Sequence, residues 1–322
     1  MILAGDIGGT NARLALFDGG NELTCVAEKN FRSRDYSSLE QIVHEFLGAK
    51  KVSKACFGIP GAIREGRAHP TNLPWVIDTE TLSTDLHIPQ ISLLNDLVAN
   101  AYGVRMLKED ELFLLHPGVE GQTGNAALIA AGTGLGQAGL YWDGEKHHPF
   151  ASEGGHVDFS PRDPREIELF KYLKNKYEHI SYERVVSGPG IYEIYLFLTE
   201  VQKLKVSPIV QEEMKRRNPS KVISEYGLQN KDLVCSETID WFISLYGAEA
   251  GNVALKFLSL GGLYIGVGIA PHLIDRMKQG AFLSAFIDKG RFKELLHSIP
   301  IWVILNDQAA LLGAAYYAKW CK

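Results

Sequence analysis

Short apolar runs alternate with amphipathic stretches along this chain, a pattern that is typical of α/β proteins. The predicted strands are residues 2–5, 12–17, 54–59, 91–94, 126–131, 137–142 and 301–305. The predicted helices are residues 36–48, 97–106 and 308–320, with most of 164–257 also helical. Because strands alternate with helices, we expect sheets whose strands are connected through helices.

The length of 322 residues predicts two domains, at roughly 150 residues each. No proline-rich or serine-rich linker separates them, so we expect the chain to cross the junction twice, near residues 107 and 299. The smaller α/β domain would comprise residues 1–106 and 299–322, so that the C-terminal strand and helix return to it. The larger α/β domain would comprise residues 107–298.

Two features of the sequence occur twice. A strand–glycine turn–strand pattern surrounds DIGGT at 6–10 and again GTGLG at 132–136. The triplet LND follows a predicted strand at 94–96 and is found again at 305–307. These repeats predict a duplicated plan in a two-lobed enzyme.

Composition and charge exclude several classes of protein. The 33 basic and 38 acidic residues give a net charge of −5, which argues against a broad basic face for nucleic acid. The longest apolar stretch, 257–270, is interrupted by four glycines and is shorter than the about 20 residues of a membrane-spanning helix. The N-terminus lacks a signal-peptide pattern, and the four dispersed cysteines fit free thiols in a reducing cytosol. We therefore expect a cytoplasmic protein.

The DIGGTN segment at 6–11 carries the chemistry of a phosphate-binding loop. Gly8 and Gly9 allow backbone amides to approach phosphate oxygens closely, and Thr10 adds a hydroxyl donor. Asp6 can hold the water shell of a magnesium ion, which uses few protein carboxylates. The alternative is a tight hairpin with an exposed aspartate.

The segment AGTGLG at 131–136 repeats this chemistry. Gly134, Gly136 and Gly139 also match Gly-x-Gly-x-x-Gly, but the residues that follow are predicted to be extended rather than helical. A dinucleotide-binding fold requires a helix there, so we exclude it. No Gly-Lys dipeptide occurs, which excludes a Walker-type loop.

Asn95 and Asp96 follow an apolar strand, at the end where ligands collect in open α/β sheets. Asp96 can accept the proton of an attacking hydroxyl. The alternative is that it caps the helix that follows. Asp307 has the same local setting and is the rival candidate.

Three further segments carry polar or glycine-rich patterns. In EGGH at 153–156, the carboxylate and imidazole can bind sugar hydroxyls; a metal site that recruits His147 or His148 is the alternative. These two histidines are expected in a solvated turn. From its neighbouring sequence alone, Glu183 is predicted to be an exposed glutamate on the surface of a helix. GGLYIGVG at 261–268 can admit an adenine ring against backbone, or it can provide close helix–strand packing.

Together these segments resemble the bacterial-type glucokinases of the actin-like, hexokinase-like ATPase superfamily. The resemblance covers nearly the whole chain, and the order and spacing of the motifs make it specific. The motifs are GDIGGTNARLA at 5–15, TNLPW at 71–75, LND at 94–96, AGTGLG at 131–136, EGGHVDF at 153–159, ERVVSGPG at 183–190 and DKGRFK at 288–293. The chain lacks the cysteine-rich zinc motif of related repressor/kinase proteins, which favours the glucokinase branch.

The resemblance implies a two-lobed actin-like ATPase (ribonuclease H-like) fold with an active-site cleft between the lobes. It implies transfer of the γ-phosphoryl group of ATP to the 6-hydroxyl of glucose, the step by which glucose enters glycolysis. Asp96 would be the base, and the sugar would be bound by Asn95, Asp96, Glu153, His156 and Glu183. The nucleotide would be bound by Asp6, Gly8, Gly9, Thr10, Asn11, Gly132, Thr133, Gly134, Gly136, Gly262 and Gly266. Asp6 would hold Mg²⁺ through water, and the protein would be a homodimer.

One departure from the family pattern concerns the adenine site. The family often has Ala-Gly-Gly before the isoleucine, whereas this chain has Gly266-Val267-Gly268 before Ile269. The valine is therefore expected to narrow the adenine site. A kinase for another hexose, such as mannose or an N-acetylated sugar, stays open. A non-catalytic regulator on the same fold is disfavoured by the intact Asp6, Asp96 and glycine loops, and by the absence of a DNA-reading extension before the first strand.

Overall fold

The computed structural model describes residues 1–20, 22–70 and 72–321. The strands are β1 (Ile2–Ile7), β2 (Asn11–Asp18), β3 (Thr24–Arg32), β4 (Lys54–Ile59), β5 (Ile63–Arg64), β6 (Arg67–Ala68), β7 (Ile77–Asp78), β8 (Gln90–Asn95), β9 (Leu112–His116), β10 (Ala126–Ala131), β11 (Leu135–Trp142), β12 (His147–Ser152), β13 (Gly262–Ile265) and β14 (Ile301–Ile304). The α-helices are α1 (Leu39–Leu47), α2 (Thr79–Leu86), α3 (Asp96–Gly103), α4 (Pro164–Lys174), α5 (Gly188–Glu200), α6 (Pro208–Arg216), α7 (Pro219–Leu228), α8 (Leu233–Phe257), α9 (Ala270–Met277), α10 (Ala281–Ile287), α11 (Lys293–His297) and α12 (Ala309–Trp320). The α/β class expected from the alternation of apolar runs is confirmed.

The chain divides into two compact units. The first contains Met1–Leu112, His148–Ala151 and Asn306–Lys322, and the second contains Phe113–His147 and Ser152–Leu305. The strand β12 is thus divided between the two units. The sequence-based boundary near residue 107 stays a prediction, whereas the boundary near residue 299 disagrees with the placement of residues up to Leu305 in the second unit.

The main sheet of the first unit has the strand order β3-β2-β1-β4-β8. Strand β1 is antiparallel to β2 and parallel to β4, and β4 is parallel to β8. A six-stranded sheet has the order β12-β11-β10-β13-β14-β9, and its first five strands repeat this plan. There, β10 is antiparallel to β11 and parallel to β13, which is parallel to β14. One glycine turn joins β1 to β2 and the other joins β10 to β11, as the repeated sequence pattern predicted.

The strand β14 corrects one expectation. It was predicted to return to the first domain together with the last helix, but it pairs with β13 in the second unit. Its Ile301 and Val303 side chains are buried in the core of the second unit, and the chain joins the first unit only at Asn306. A short apolar run predicts a buried strand but does not say which sheet it joins.

Helices α3 and α12 pack together in the first unit through glycines. A Cβ atom placed on Gly313 would lie 1.7 Å from the Ala99 carbonyl oxygen, and one on Gly103 would lie 1.9 Å from the Ala309 carbonyl oxygen. The two backbones therefore approach more closely than any larger residue allows. This packing fixes α3, the helix that begins at Asp96.

Replacing Gly313 with alanine is expected to reduce the free energy of unfolding by about 3 kcal/mol, at the upper end of the usual cost of overpacking, because backbone must move. Urea unfolding measures this change. Gly20→Ala is the matched control, since a Cβ atom there meets nothing within 4 Å. Equal unfolding midpoints for the two variants would contradict the close packing of α3 and α12.

The core of the second unit surrounds α8, and one buried side chain of this helix supports the sheet. The Tyr246 hydroxyl accepts a hydrogen bond from the Ala131 amide at 3.2 Å and donates to the Ile129 carbonyl at 3.3 Å. Both partners lie at the end of β10, directly before the second glycine turn. Among the described residues, no helix has the length and apolar character needed to cross a membrane.

Candidate active site

The first glycine turn joins β1 to β2 and is held by backbone hydrogen bonds. The Gly8 amide donates to the Asn11 carbonyl at 2.9 Å, and the Ser33 amide donates to the Thr10 carbonyl at 3.0 Å. The Ser33 hydroxyl donates to the Gly8 carbonyl at 2.7 Å. A Cβ atom on Gly9 would lie 2.6 Å from Asn72 Cβ, so this position is restricted to glycine. The turn is thus a tight hairpin, and its geometry is compatible with phosphate binding as well.

Asp6 lies at the end of β1, directly across from Arg13 on β2. Burial raises the pKa of Asp6, the Arg13 guanidinium lowers it, and the charge of Asp307 raises it again. Because Asp6 is half-buried, the exposed aspartate of the hairpin alternative is not what the structure shows. A carboxylate oxygen at this position is the hard donor that magnesium prefers.

Asn95 and Asp96 occupy the junction of β8 and α3. The Asn95 side-chain oxygen accepts hydrogen bonds from the amides of Leu97 and Val98 at 3.0 and 3.3 Å. Asp96 Oδ1 accepts from the Leu97 amide at 2.9 Å. Asn95 is therefore the N-cap, and Asp96 is the first helical residue, where the helix dipole favours a negative charge.

Asp96 and Asp6 lie at the same edge of the first sheet. Asp6 pairs with Gly58 of β4, and Gly58 pairs with Leu94 of β8, so about 10 Å separates the Asp6 and Leu94 backbones at two strand spacings. A Cβ atom on Gly58 would lie 3.8 Å from Asp96 Cα and 3.7 Å from the Gly5 carbonyl oxygen. The candidate base and the first glycine turn are thus neighbours within one unit.

Glu183 supports the second glycine turn, which joins β10 to β11. Its Oε2 accepts a hydrogen bond from the Leu135 amide at 2.9 Å and lies 2.5 Å from where a Cβ atom on Gly134 would be. The Gly188 amide donates to the Gly132 carbonyl at 2.8 Å. The local interpretation of Glu183 as a surface helix glutamate is therefore wrong, because it lies in a 3-10 turn packed against residues 132–135.

The EGGH segment packs against the same region. Cβ atoms on Gly154 and Gly155 would lie 2.1 Å from the Gln137 side-chain oxygen and 1.9 Å from the Leu135 carbonyl oxygen. This packing brings His156 Nδ1 to 4.0 Å from Glu183 Oε1. Glu153 directly precedes the 3-10 turn and is exposed. Three predicted sugar-binding residues thus lie on two adjoining loops of the second unit.

The expectation of a solvated turn is wrong for His147. This residue begins the strand β12, and its Nε2 lies 3.0 Å from the Gly124 carbonyl oxygen. Its ring packs on Trp142 with a centroid separation of 4.9 Å. Over the described ranges of the chain, no group of three or more His, Cys, Asp or Glu side chains is arranged to hold a metal ion.

The glycine-rich segment after β13 lies along the end of β10. The Gly266 amide donates to the Ile129 carbonyl at 2.8 Å, and the Ile269 amide donates to the Ala131 carbonyl at 3.0 Å. A Cβ atom on Gly266 would lie 2.6 Å from Ala130 Cβ, which is the close packing that the sequence offered as one interpretation. Val267 is half-buried. Residues 266–269 therefore adjoin the second glycine turn, the predicted phosphate loop. Gly262, with a φ of 127°, begins β13 and pairs with Ala126, at the opposite end of β10 from that turn.

A buried polar network that the sequence did not reveal lies behind these loops. Gln137 Nε2 donates to Glu249 Oε1 at 2.7 Å, and Asn252 Nδ2 donates to Glu249 Oε2 at 2.9 Å. Asn252 also donates to the Tyr182 hydroxyl, next to Glu183. Burial raises the pKa of Glu249. The only signal in the sequence is a glutamate inside an apolar run of α8.

Comparison with known proteins agrees with this arrangement. A family model described as Glucokinase matches residues 3–320. A glucokinase of Trichormus variabilis is 41% identical over 99% of this chain and 98% of its own length. The crystal structure of a glucokinase from an Antarctic psychrotroph superposes with a TM-score of 0.84 at 30% identity, with 98% of each chain covered. A glucokinase of the ROK family from Streptomyces griseus, in complex with glucose and AMPPNP, shares the fold with a TM-score of 0.66 at 18% identity, with 99% of each chain covered.

Two copies of one strand order, with one glycine turn between β1 and β2 and the other between β10 and β11, define a kinase with the actin-like ATPase fold. The sequence-based expectation of this fold is confirmed. The chain belongs to the glucokinase family. It is an ATP-dependent hexose kinase, as the resemblance implied. Thr71, the first residue of the TNLPW motif, lies outside the described residues.

Proposed function

We propose that this glucokinase transfers the γ-phosphoryl group of ATP to the 6-hydroxyl of glucose with Asp96 as the base. The position of Asp96 carries the proposal: its carboxylate stands at the start of α3, at the sheet edge that also carries Asp6. The glucose O6–H proton passes to Asp96 while O6 bonds to the γ-phosphorus and the bond to ADP breaks. Products are glucose 6-phosphate, which enters glycolysis, and ADP.

The remaining site residues are assigned by the family resemblance. The local geometry supports the assignment of Glu153, His156 and Glu183, which lie on two adjoining loops. Asn95, Glu153, His156 and Glu183 would bind the sugar hydroxyls. The turns at residues 8–11 and 132–136 would bind phosphate oxygens through backbone amides and the Thr10 and Thr133 hydroxyls. Gly266 would border the adenosine, since backbone hydrogen bonds hold residues 266–269 beside the second turn. Gly262 is assigned to the adenosine by the resemblance alone, because it lies at the other end of β13.

The residues at the first turn fit a magnesium ion bound together with ATP. Such an ion keeps several waters and takes one or two carboxylates, and Asp6 offers one half-buried carboxylate beside the turn. When bound, the ion would neutralise charge on the phosphate oxygens. Asp6 would orient the water shell of that ion.

We further propose a cytoplasmic homodimer. The dispersed cysteines support the compartment, since Cys25, Cys56, Cys235 and Cys321 form no disulfide in the structure. The homodimer rests on the family resemblance. Size-exclusion chromatography with light scattering tests it, and a monomer at micromolar concentration would contradict it.

A coupled assay of ADP release with magnesium-ATP and a panel of hexoses tests the proposed function. Glucose should give a rate far above the rate without sugar, and above those of mannose and N-acetylglucosamine. A larger rate with another hexose would correct the substrate and keep the mechanism. A folded protein without activity on any hexose would overturn the proposal.

Replacing Val267 with glycine is expected to lower the KM for ATP about threefold, equivalent to roughly 0.6 kcal/mol of binding. The half-buried valine stands between Gly266 and Gly268, where its side chain would crowd adenine. Steady-state kinetics with varied ATP measure the effect. Val267→Ala should give an intermediate value, and the KM for glucose should not change. An unchanged KM for ATP in both variants would dismiss the crowding.

A further inference from the structure

Arg13 lies at the centre of a charged cluster in the first unit, next to the first glycine turn. It stands in a row across three strands, between Asp6 of β1 and Asn30 of β3. Its Nε donates to the Asn30 side-chain oxygen at 3.1 Å. Its Nη2 donates to Asp307 Oδ2 at 3.1 Å, and its Nη1 donates to the Asp307 carbonyl at 3.4 Å. Asn30 and Asp307 therefore set the direction of the guanidinium.

The residues around Asp307 are held by a second set of hydrogen bonds. Asn306 Nδ2 donates to Glu111 Oε1 at 2.6 Å, and the Gln308 amide donates to the Asn306 side-chain oxygen at 2.8 Å. Gln308 Nε2 donates to Glu28 Oε2 at 3.0 Å. The residues on both sides of Asp307 are thus held by hydrogen bonds, so the position of Asp307 beside Arg13 is fixed.

In this cluster three carboxylates surround a single positive charge. The Arg13 guanidinium forms hydrogen bonds with Asp307, lies 3.7 Å from Glu28 and lowers the pKa of Asp6 through its charge. A guanidinium turned toward Asp6 would occupy the carboxylate oxygens and compete with a divalent cation for them. The hydrogen bonds to Asp307 and Asn30 hold the Arg13 guanidinium in place. Arg13 therefore stabilises the Asp6 carboxylate through its charge and does not compete with a cation for the Asp6 oxygens.

We propose that Arg13 and Asp307 are positioning residues for the magnesium nucleotide: Asp307 orients the Arg13 guanidinium so that the Asp6 carboxylate faces the water shell of the ion. The inference rests on the proposed function, in which Asp6 orients that shell. It also gives the second LND triplet a role of its own, distinct from that of the base.

Calorimetric titration with AMPPNP, in the presence and absence of Mg²⁺, tests this positioning. Asp307→Asn should raise the Kd of magnesium-AMPPNP about three- to fivefold, the upper range for an exposed ion pair, since the Asp307 side chain is 70% exposed. Without Mg²⁺ the variant and the wild type should bind AMPPNP equally. Arg13→Met should act in the same direction, and the double variant should be no weaker than the weaker single variant. The Kd for glucose should not change.

Glu45→Gln is the matched control, because it removes the charge from another exposed ion pair of the first unit, formed by Lys29 of β3 and Glu45 of α1 at 2.7 Å. Its Kd for magnesium-AMPPNP should equal that of the wild type. Equal weakening in this control, or an equal loss of glucose binding in Asp307→Asn, would overturn the inference in favour of a structural role. Unchanged magnesium-AMPPNP binding in both Asp307→Asn and Arg13→Met would overturn the inference alone. Failure of the wild type to bind magnesium-AMPPNP would overturn the proposed function as well.

Discussion

Replacing Asp96 with asparagine is expected to lower kcat about a thousandfold, within the usual range for loss of a general base, while glucose still binds. The asparagine side chain keeps an oxygen that can accept the Leu97 amide, so the start of α3 is preserved. It lacks the negative charge that receives the proton of the 6-hydroxyl. Coupled kinetics at saturating ATP and glucose measure kcat, and calorimetry measures the Kd for glucose.

Two comparison variants make this result specific. Asp35→Asn removes an exposed carboxylate of the same unit and should leave kcat unchanged. Asp307→Asn addresses the rival base and should change the Kd for magnesium nucleotide far more than kcat. If Asp96→Asn turned over at a near-normal rate, or if Asp307→Asn caused the larger loss of kcat, Asp96 would not be the base.

The sequence predicted the buried strands well because their whole surface is apolar. β4 and β10 have the predicted bounds, and both are almost entirely buried. β3 was missed because it is an edge strand with only one buried residue, Phe31. β3 is held to β2 by backbone hydrogen bonds, which any side chains permit. The sequence of β3 therefore shows no alternation of apolar and polar residues. The placement of β14 failed for a related reason, since its pairing with β13 is decided by contacts distant in sequence.

The features of the candidate site likewise divide into those that the local sequence predicts and those that it does not. The two glycine turns could be predicted because glycine itself supplies the close backbone approach. The positions of Glu183 and Arg13 could not, because each depends on a partner far along the chain. Leu135 lies 48 residues from Glu183, and Asp307 lies 294 residues from Arg13. Local patterns carry no information about such pairs, so the family resemblance had to supply the role of Glu183.

The two carboxylate oxygens of Glu183 make separate contacts in the structure, and a pair of variants tests what each contact does. Its Oε1 lies near His156 on the predicted sugar side, whereas its Oε2 accepts the Leu135 amide of the second glycine turn. Glu183→Gln keeps an oxygen for that amide but removes the charge. Glu183→Ala removes both. A hydrogen bond to a charged group contributes about 1.5–3 kcal/mol, which corresponds to roughly 10- to 100-fold in affinity.

We therefore expect Glu183→Gln to raise the KM for glucose about tenfold with little change in the KM for ATP. Glu183→Ala should raise the KM for glucose about 100-fold and that for ATP about tenfold, since the Leu135 amide then lacks its acceptor and the turn loosens. Glu237→Ala, which removes the ion pair with Arg165 in the same unit, should change neither. If the two Glu183 variants had the same KM for ATP, the hydrogen bond to the Leu135 amide would not stabilise the second glycine turn. If neither changed the KM for glucose, Glu183 would not be a sugar ligand.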